Sequence, residues 1–342
     1  MRFRILAALA ACSLALGLSA CGGGSSSLSS PQSVTPQAMQ QNVGSDVVTM
    51  SVPAGSPLTW KIQAGASTAN QAFQDLDFYA GSITIDVGDS VTWRVAATEP
   101  HTVSFLLPGQ PFPPDGSPEQ ALPAGGHVVD GTKFVSSGIL GNQQTFTATF
   151  PKAGTYRYHC LLHHPEMTGV ITVQPKGTAY PHSQAFYTNA GSADQWKDLQ
   201  AAYGALAQFP FRPFGTTIAA GISPGLTNPP PSQTTVLRFV QDGTNYNATT
   251  IKIPVNTTLT WKNVTNNEPH TITLPVAGQP LPNVPPFIPP AGGPTYDGTQ
   301  FTNSGVLPPG ASYSLKFVKK GVFKYYCLFH FPSGMSGTVW VI

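Results

Sequence analysis

The chain has 342 residues, which is enough for two or three domains of ordinary size. Only 9% of the residues are charged, and the 34 glycines and 34 prolines favour short strands joined by turns over long helices. The formal net charge is +2, and the basic residues are scattered singly along the chain. Nucleic-acid binding needs a concentrated basic face, so that class of partner is excluded. The composition predicts an all-β protein.

The N-terminus has the pattern of an export signal. Arg2 and Arg4 precede an apolar stretch, residues 5–18, that is short for a membrane span. The stretch ends in Leu18-Ser19-Ala20-Cys21, which resembles the bacterial lipobox, in which the cysteine is lipidated and becomes the first mature residue. The alternatives are a plain signal peptide and an uncleaved anchor. We expect a signal peptide over residues 1–20 and a lipid on Cys21.

The four cysteines divide into two groups. Cys12 belongs to the signal and Cys21 to the anchor, and residues 21–46 have the composition of a flexible tether. Cys160 and Cys327 therefore remain in folded sequence. An oxidising compartment favours a disulfide between them, but the sequence around each cysteine favours a metal site.

The chain contains an internal duplication. Three motifs recur in the same order, and each copy is too long for a solenoid repeat, so each copy is a domain. The paired motifs are residues 99–102 and 268–271 (EPHT in both), 123–126 and 290–293 (PAGG in both), and 160–163 and 327–330 (CLLH and CLFH).

Apolar and polar residues alternate within each copy. Residues 82–87 alternate, turn at Gly88 and resume over 90–93, and residues 250–255 and 258–261 repeat this arrangement. Such alternation predicts half-buried strands in a β-sandwich.

A helix is predicted between the two copies. Trp196, Leu199, Tyr203 and Leu206 follow helical spacing, and Ser192 with Gln195 matches a capping box. We therefore predict one short helix near 192–208 in a linker over 176–232. The linker joins a first domain at 47–175 to a second at 233–342.

Each copy also contains a histidine, a cysteine, a second histidine and a methionine in the same order. A type 1 blue copper site uses two imidazoles, one thiolate and a weak axial thioether, so this order predicts one copper in each domain. The predicted ligands are His101, Cys160, His163 and Met167 in the first domain and His270, Cys327, His330 and Met335 in the second. The loop spacing is CxxHxxxM in the first domain and CxxHxxxxM in the second, and His164 could compete with His163.

These motifs resemble the plastocyanin and amicyanin group of cupredoxins across both copies. The resemblance implies two Greek-key β-sandwiches, each with a type 1 copper, that exchange single electrons with a transient redox donor and acceptor. Many members have asparagine after the first histidine, where this chain has Thr102 and Thr271. In that group the second histidine reaches the surface through an apolar patch and serves as the electron port. The residues that the resemblance assigns to this patch are Leu161, Leu162 and Pro165, and Leu328, Phe329, Phe331 and Pro332.

Two other copper functions are alternatives. A copper-dependent reductase or oxidase of the nitrite reductase type also uses tandem cupredoxin domains, and His159 beside Cys160 imitates its linked centres. Such enzymes need further histidines, supplied as HxH pairs, and the sequence contains no HxH. Copper storage or delivery would use methionine- or histidine-rich segments, which this sequence lacks. We expect a non-enzymatic electron carrier, exported and lipid-anchored at the periplasmic face of a membrane or at the cell surface.

Overall fold

The computed structural model describes residues 56–114, 116–208, 216–223, 234–240, 249–266 and 268–342. The predicted signal peptide, Cys21 and the tether lie outside the described residues. No helix within the described residues is both long enough and apolar enough to cross a membrane.

The first copy consists of strands and one short helix. They are β1 Thr59–Ser67, β2 Phe73–Tyr79, β3 Ser82–Asp86, β4 Ser90–Val95, β5 Ser104–Phe105, α1 Pro118–Ala121, β6 Pro123–Ala124, β7 Val135–Ser137, β8 Thr145–Thr149, β9 Gly154–His159 and β10 Thr168–Gln174.

A long helix, α2 Gln184–Gln208, precedes the second copy. The strands that follow are β11 Thr217–Ile222, β12 Thr234–Val240, β13 Thr249–Ile253, β14 Thr257–Asn263, β15 Thr273–Leu274, β16 Thr295–Tyr296, β17 Thr302–Asn303, β18 Ser312–Phe317, β19 Gly321–Tyr326 and β20 Ser336–Val341.

Each copy forms a β-sandwich around its own core, which confirms the predicted fold class. One face of the first sandwich is the sheet β3-β10-β9-β5-β7-β6, and the matching face of the second is β13-β20-β19-β15-β17. Alternation along β4 and β14 points Trp93 and Trp261 inward, where both side chains are fully buried. Each tryptophan packs edge-on against a buried tyrosine of the opposite sheet, Tyr158 or Tyr325.

The opposing faces of the two sandwiches are one continuous sheet, β16-β18-β14-β11-β12-β2-β1-β4-β8. The junction is the antiparallel pair of β2 and β12, with Asp75 opposite Thr234 and Phe73 opposite Val236. Strands β2 and β12 are each the second strand of their copy. Because these equivalent strands pair antiparallel, the pairing is locally two-fold symmetric. Next to it, buried Arg238 donates to the carbonyl oxygen of Asn70 at 2.6 Å. The two domains are therefore joined by backbone pairing.

The helix α2 covers this junction. Ala202 and Leu206 are buried against Phe73 of β2 and Val236 of β12. Trp196 is 48% exposed, so the predicted apolar stripe is only partly buried.

The helix also begins earlier than predicted, at Gln184. The Oγ of Ser183 accepts a hydrogen bond from the backbone N–H of Phe186, whereas Ser192 lies inside the helix and donates to the carbonyl oxygen of Thr188. The predicted capping box at Ser192 is wrong, because a serine hydroxyl can bond back to the preceding turn as readily as it caps.

The range predicted as linker, 176–232, contains a strand of the second sandwich. Strand β11 pairs in parallel with β14 and antiparallel with β12. Gly221 interrupts the register of β11 with a positive φ of 68°, a conformation that favours glycine. The equivalent Gly65 interrupts β1 in the first domain.

Candidate metal centres

Both predicted ligand sets lie at one end of their sandwiches. His101 and His270 form isolated bridges with Leu140 and Leu307, and each cysteine directly follows a strand, β9 or β19. The loop after each cysteine closes on itself through the backbone. The N–H of Cys160 donates to the carbonyl oxygen of Met167 at 3.0 Å, and Cys327 does the same to Met335 at 3.2 Å.

In the first domain, three donor atoms converge. The Sγ of Cys160 lies 3.8 Å from Nδ1 of His101 and 3.4 Å from Nδ1 of His163. The two imidazole rings are nearly perpendicular, with centroids 4.9 Å apart. All three side chains are buried.

The second domain repeats this geometry. The Sγ of Cys327 lies 3.6 Å from Nδ1 of His270 and 3.3 Å from Nδ1 of His330. The two Nδ1 atoms are 3.1 Å apart, and the ring centroids are again separated by 4.9 Å. The structure therefore brings together the predicted histidines and cysteine of each domain.

Backbone donors support the cysteine sulfurs. The N–H of Thr102 lies 3.3 Å from Sγ of Cys160, and that of Thr271 lies 3.4 Å from Sγ of Cys327. Burial alone would raise the pKa of Cys160, but contact with His101 and the backbone donors outweighs it and lowers the pKa of this thiol. The thiolate form required for metal binding is thereby favoured.

The threonines in place of asparagine fix the cysteine loops. The Oγ1 of Thr102 accepts a hydrogen bond from the N–H of Leu161 at 2.7 Å, and Thr271 accepts one from Leu328 at the same distance. Each threonine thus supports the sulfur through its backbone and the following loop through its side chain.

The first histidine of each site is tightly packed on the side of its Nε2 atom. The Nε2 atoms of His101 and His270 are buried and have no hydrogen-bond partner among the described residues. They lie against Gly65 and Gly221, where an added Cβ would come within 2.1 Å and 2.5 Å of the respective Nε2. Burial lowers the pKa of both imidazoles, which favours the neutral ring that a metal binds.

This donor set fits copper. Two imidazole nitrogens and one thiolate sulfur suit both oxidation states of copper. Cys160 and Cys327 are free and lie in separate cores, so the alternative of a disulfide between them is wrong. Met167 and Met335 are fully buried in the same cores as the cysteines.

The predicted electron ports are wrong in both domains. His163 is only 5% exposed and His330 only 2%, and Leu161 and Leu328 are buried as well. The cause is the other domain, because Nε2 of His163 lies 3.5 Å from Oε1 of Glu268. The second histidines therefore face the domain interface, although Phe331 beside them remains exposed.

Sequence reasoning did not assign a role to the two buried glutamates at this interface. Glu268 also approaches Nε2 of His330 with Oε2 at 3.4 Å, and Glu99 approaches the same nitrogen at 3.8 Å. The sequence feature that could have pointed to these glutamates is the repeated EPHT motif, in which each glutamate lies two positions before the first histidine of its site.

The two glutamates and the histidines at the interface shift one another's pKa values. Burial raises the pKa of Glu99. Burial would also raise the pKa of Glu268, but His163 and His330 outweigh it and lower that pKa. Burial would lower the pKa of His330, but Glu99, Cys327 and Glu268 together raise it well above its ordinary value. Glu268 therefore ionises more readily than Glu99.

The remaining histidines are not part of either site. His127 is exposed. The others are half-buried: His164 stacks on Phe112 at 4.3 Å and His182 on Phe186 at 3.8 Å. His159 contacts Oγ1 of Thr168 through Nδ1 at 2.8 Å.

Two β-sandwiches, each holding two imidazole nitrogens and a buried cysteine sulfur at one end, define a two-domain blue-copper protein. The family model for copper binding proteins of the plastocyanin/azurin family matches residues 64–174 and 235–342, which is well over half of the chain. The chain belongs to this family and carries one copper site in each domain.

The chain is also similar to individual proteins and to solved structures. Amicyanin from Paracoccus denitrificans is 28% identical over 124 residues, covering 36% of this chain and 77% of amicyanin. A chloroplastic plastocyanin from Physcomitrium patens is 32% identical over 123 residues, covering 35% of this chain and 65% of that plastocyanin. A solved structure of an oxidised amicyanin variant is 22% identical, with a TM-score of 0.24, and covers 34% of this chain and 82% of its own.

The packing behind the first histidine predicts the effect of adding a methyl group. Gly65→Ala places Cβ 2.1 Å from Nε2 of His101, so the imidazole must shift. We expect loss of the first copper and of about half of the blue absorption, because each domain holds one independent site. Metal analysis and visible spectroscopy measure both effects.

Gly88→Ala is the matched control, because Gly88 also has a positive φ, of 95°, but an added Cβ meets nothing within 4 Å. This variant should keep both coppers. Full copper loading of the Gly65→Ala protein would contradict the packing role of Gly65.

Proposed function

We propose that this protein is an exported electron carrier that shuttles single electrons between redox partners through one type 1 copper in each of two domains. The proposed ligands are His101, Cys160, His163 and Met167 in the first domain and His270, Cys327, His330 and Met335 in the second. The observation that carries the proposal is the convergence, twice, of two Nδ1 atoms on a buried cysteine sulfur. The proposed domains are residues 47–175 and 233–342, with β11 added to the second.

The surroundings of each site suit electron transfer. Bound copper supplies a one-electron couple, and the chain holds its ligands in fixed positions. Thr102 and Thr271 tie each cysteine loop to the strand of the first histidine, and Gly65 and Gly221 allow the close packing that immobilises that histidine. A site that changes little between oxidation states needs little rearrangement for each electron transferred.

A carrier is favoured over a reductase or oxidase. Within the part of the chain that the structure describes, the only clusters of metal-ligating histidine and cysteine are the two sites themselves. His159, the residue placed to link a blue copper to a catalytic copper, instead contacts Thr168. Membership in the plastocyanin/azurin family also supports a carrier. Contacts with the redox donor and acceptor are expected to be small and brief, as redox encounters are.

The ligand assignment is tested by removing one thiolate at a time. Cys160→Ser and Cys327→Ser should each remove one copper and about half of the blue absorption, because serine does not replace the soft thiolate. Metal analysis and the visible spectrum of each variant check this. The double variant is the control and should be colourless; a single variant with an unchanged spectrum would show that its domain is wrongly assigned.

The carrier role is tested by the choice of oxidant. The reduced protein should be reoxidised rapidly by a redox protein but slowly by oxygen or nitrite, without turnover, because the described residues hold no further histidine cluster for a catalytic copper. Stopped-flow absorbance at the blue band measures the rates. A third tightly bound copper, with activity that His159→Ala abolishes, would instead establish a reductase.

Export and anchoring are a further part of the proposal. The sequence ending at Cys21 supports a lipoprotein held by its lipid at the periplasmic face of a membrane or at the cell surface. Cys21→Ala should release the protein into the soluble exported fraction, because the thiol that receives the lipid is gone. Cys12→Ala is the control and should leave the protein on the membrane; membrane retention of Cys21→Ala would refute lipidation at this residue.

A further inference from the structure

The two copper sites face each other across the domain interface, and Glu268 lies between them. Its Oε1 lies 3.5 Å from Nε2 of His163 in the first domain, and its Oε2 lies 3.4 Å from Nε2 of His330 in the second. Each of these histidines directs its other ring nitrogen, Nδ1, to the cysteine of its own site. One carboxylate therefore touches the outer nitrogen of a proposed copper ligand in both domains.

Among the residues that the structure describes, Glu268 is the side chain that forms ion-pair contacts with histidines of both sites. Oε1 of Glu268 makes no hydrogen bond to any described group, and its polar neighbour is the imidazole of His163 at an ion-pair distance of 3.5 Å. Glu99 holds the equivalent position in the first repeat, and among the described residues its carboxylate forms an ion pair with His330 alone, at 3.8 Å. The duplication supplied two glutamates that reach across the interface, and Glu268 is the one that contacts a histidine of each domain.

The interface also excludes water and other molecules from this connection. Glu268 is 3% exposed, and His163 and His330 are exposed by no more than 5%. Removed from solvent, contacts between a carboxylate and imidazole N–H groups are stronger than at a surface. An external redox partner has no access to the histidine edge that the resemblance had assigned as its port. The group that faces that edge is the other domain.

We propose that Glu268 is the positioning residue that links the two imidazoles, so that an electron passes between the two copper sites within one chain. This inference rests on the proposed function, since it requires copper in both domains. In the step, one electron leaves Cu(I) in one domain and reduces Cu(II) in the other. No bond forms or breaks, and the proton on each Nε2 stays where it is. The chain thus works as a two-site relay.

The test compares Glu268→Gln with Glu99→Gln. An amide has one acceptor oxygen, so Glu268→Gln can accept from only one of the two imidazoles, whereas Glu99→Gln makes the same chemical change in the same interface without cutting the link. Both are made in a Met335→Leu background, because changing an axial ligand separates the two reduction potentials and makes net transfer visible.

Each protein is rapidly reduced with less than one equivalent of electrons, and the absorbance of the blue bands is then recorded over time. We expect a phase of redistribution between the sites whose rate is independent of protein concentration. Glu99→Gln should keep this phase, and Glu268→Gln should lose it while keeping both coppers and the blue band. Transfer in Glu268→Gln as fast as in the control would overturn the proposal.

A second measurement applies to the protein without substitutions, in case Glu268→Gln loses copper. Electron paramagnetic resonance of the fully oxidised protein should show a magnetic interaction between the two Cu(II) ions that is absent from Cys327→Ser, which retains one copper. Two coppers with blue absorption but no such interaction would overturn the relay and leave the carrier function intact. Absence of blue copper would instead refute the proposed function itself.

Discussion

The antiparallel pairing of β2 with β12 is the constraint on which the arrangement of the two sites depends. Phe73 and Asp75 of the first domain pair with Val236 and Thr234 of the second, and the two sandwiches become one sheet. Without this pairing, each site would lie at the free end of its own domain. With it, His163 and His330 are turned toward each other and covered.

Polar groups buried in the interface between the two domains need hydrogen-bond or ion-pair partners. Burial of an unpaired charge is costly, and here three buried carboxyl groups have a partner from the other repeat. Glu268 contacts His163, Glu99 contacts His330, and the hydroxyl of Thr234 donates to the carboxylate of Asp75 at the strand junction. Burial raises the pKa of Asp75 to about 7 despite this hydrogen bond. The interface is therefore specified by particular polar pairs as well as by apolar packing.

The sequence was sufficient to predict the fold class and the histidines and cysteines that converge at each site. The reason is local: strand alternation fixes the sandwich, and the CxxH loop brings Cys160 and His163 together whatever lies outside the domain. Features that depend on the other repeat were not predictable in the same way. The burial of His163 depends on Glu268, which is distant in the chain and belongs to the second domain. Strand β11 was missed because its flanks are rich in proline and glycine, and only its pairing with β14 identifies it.

The shared sheet also bears on how such a chain could arise. A single sandwich with the second strand at its edge exposes unpaired backbone groups, and edges of this kind associate with other edges. Because β2 and β12 are equivalent strands paired antiparallel, the same contact would join two identical sandwiches into a two-fold symmetric dimer. Placing both on one polypeptide makes their association independent of protein concentration. It also allows the two halves to diverge, so that one glutamate of the repeated pair contacts the second histidines of both domains and the other contacts that of one domain.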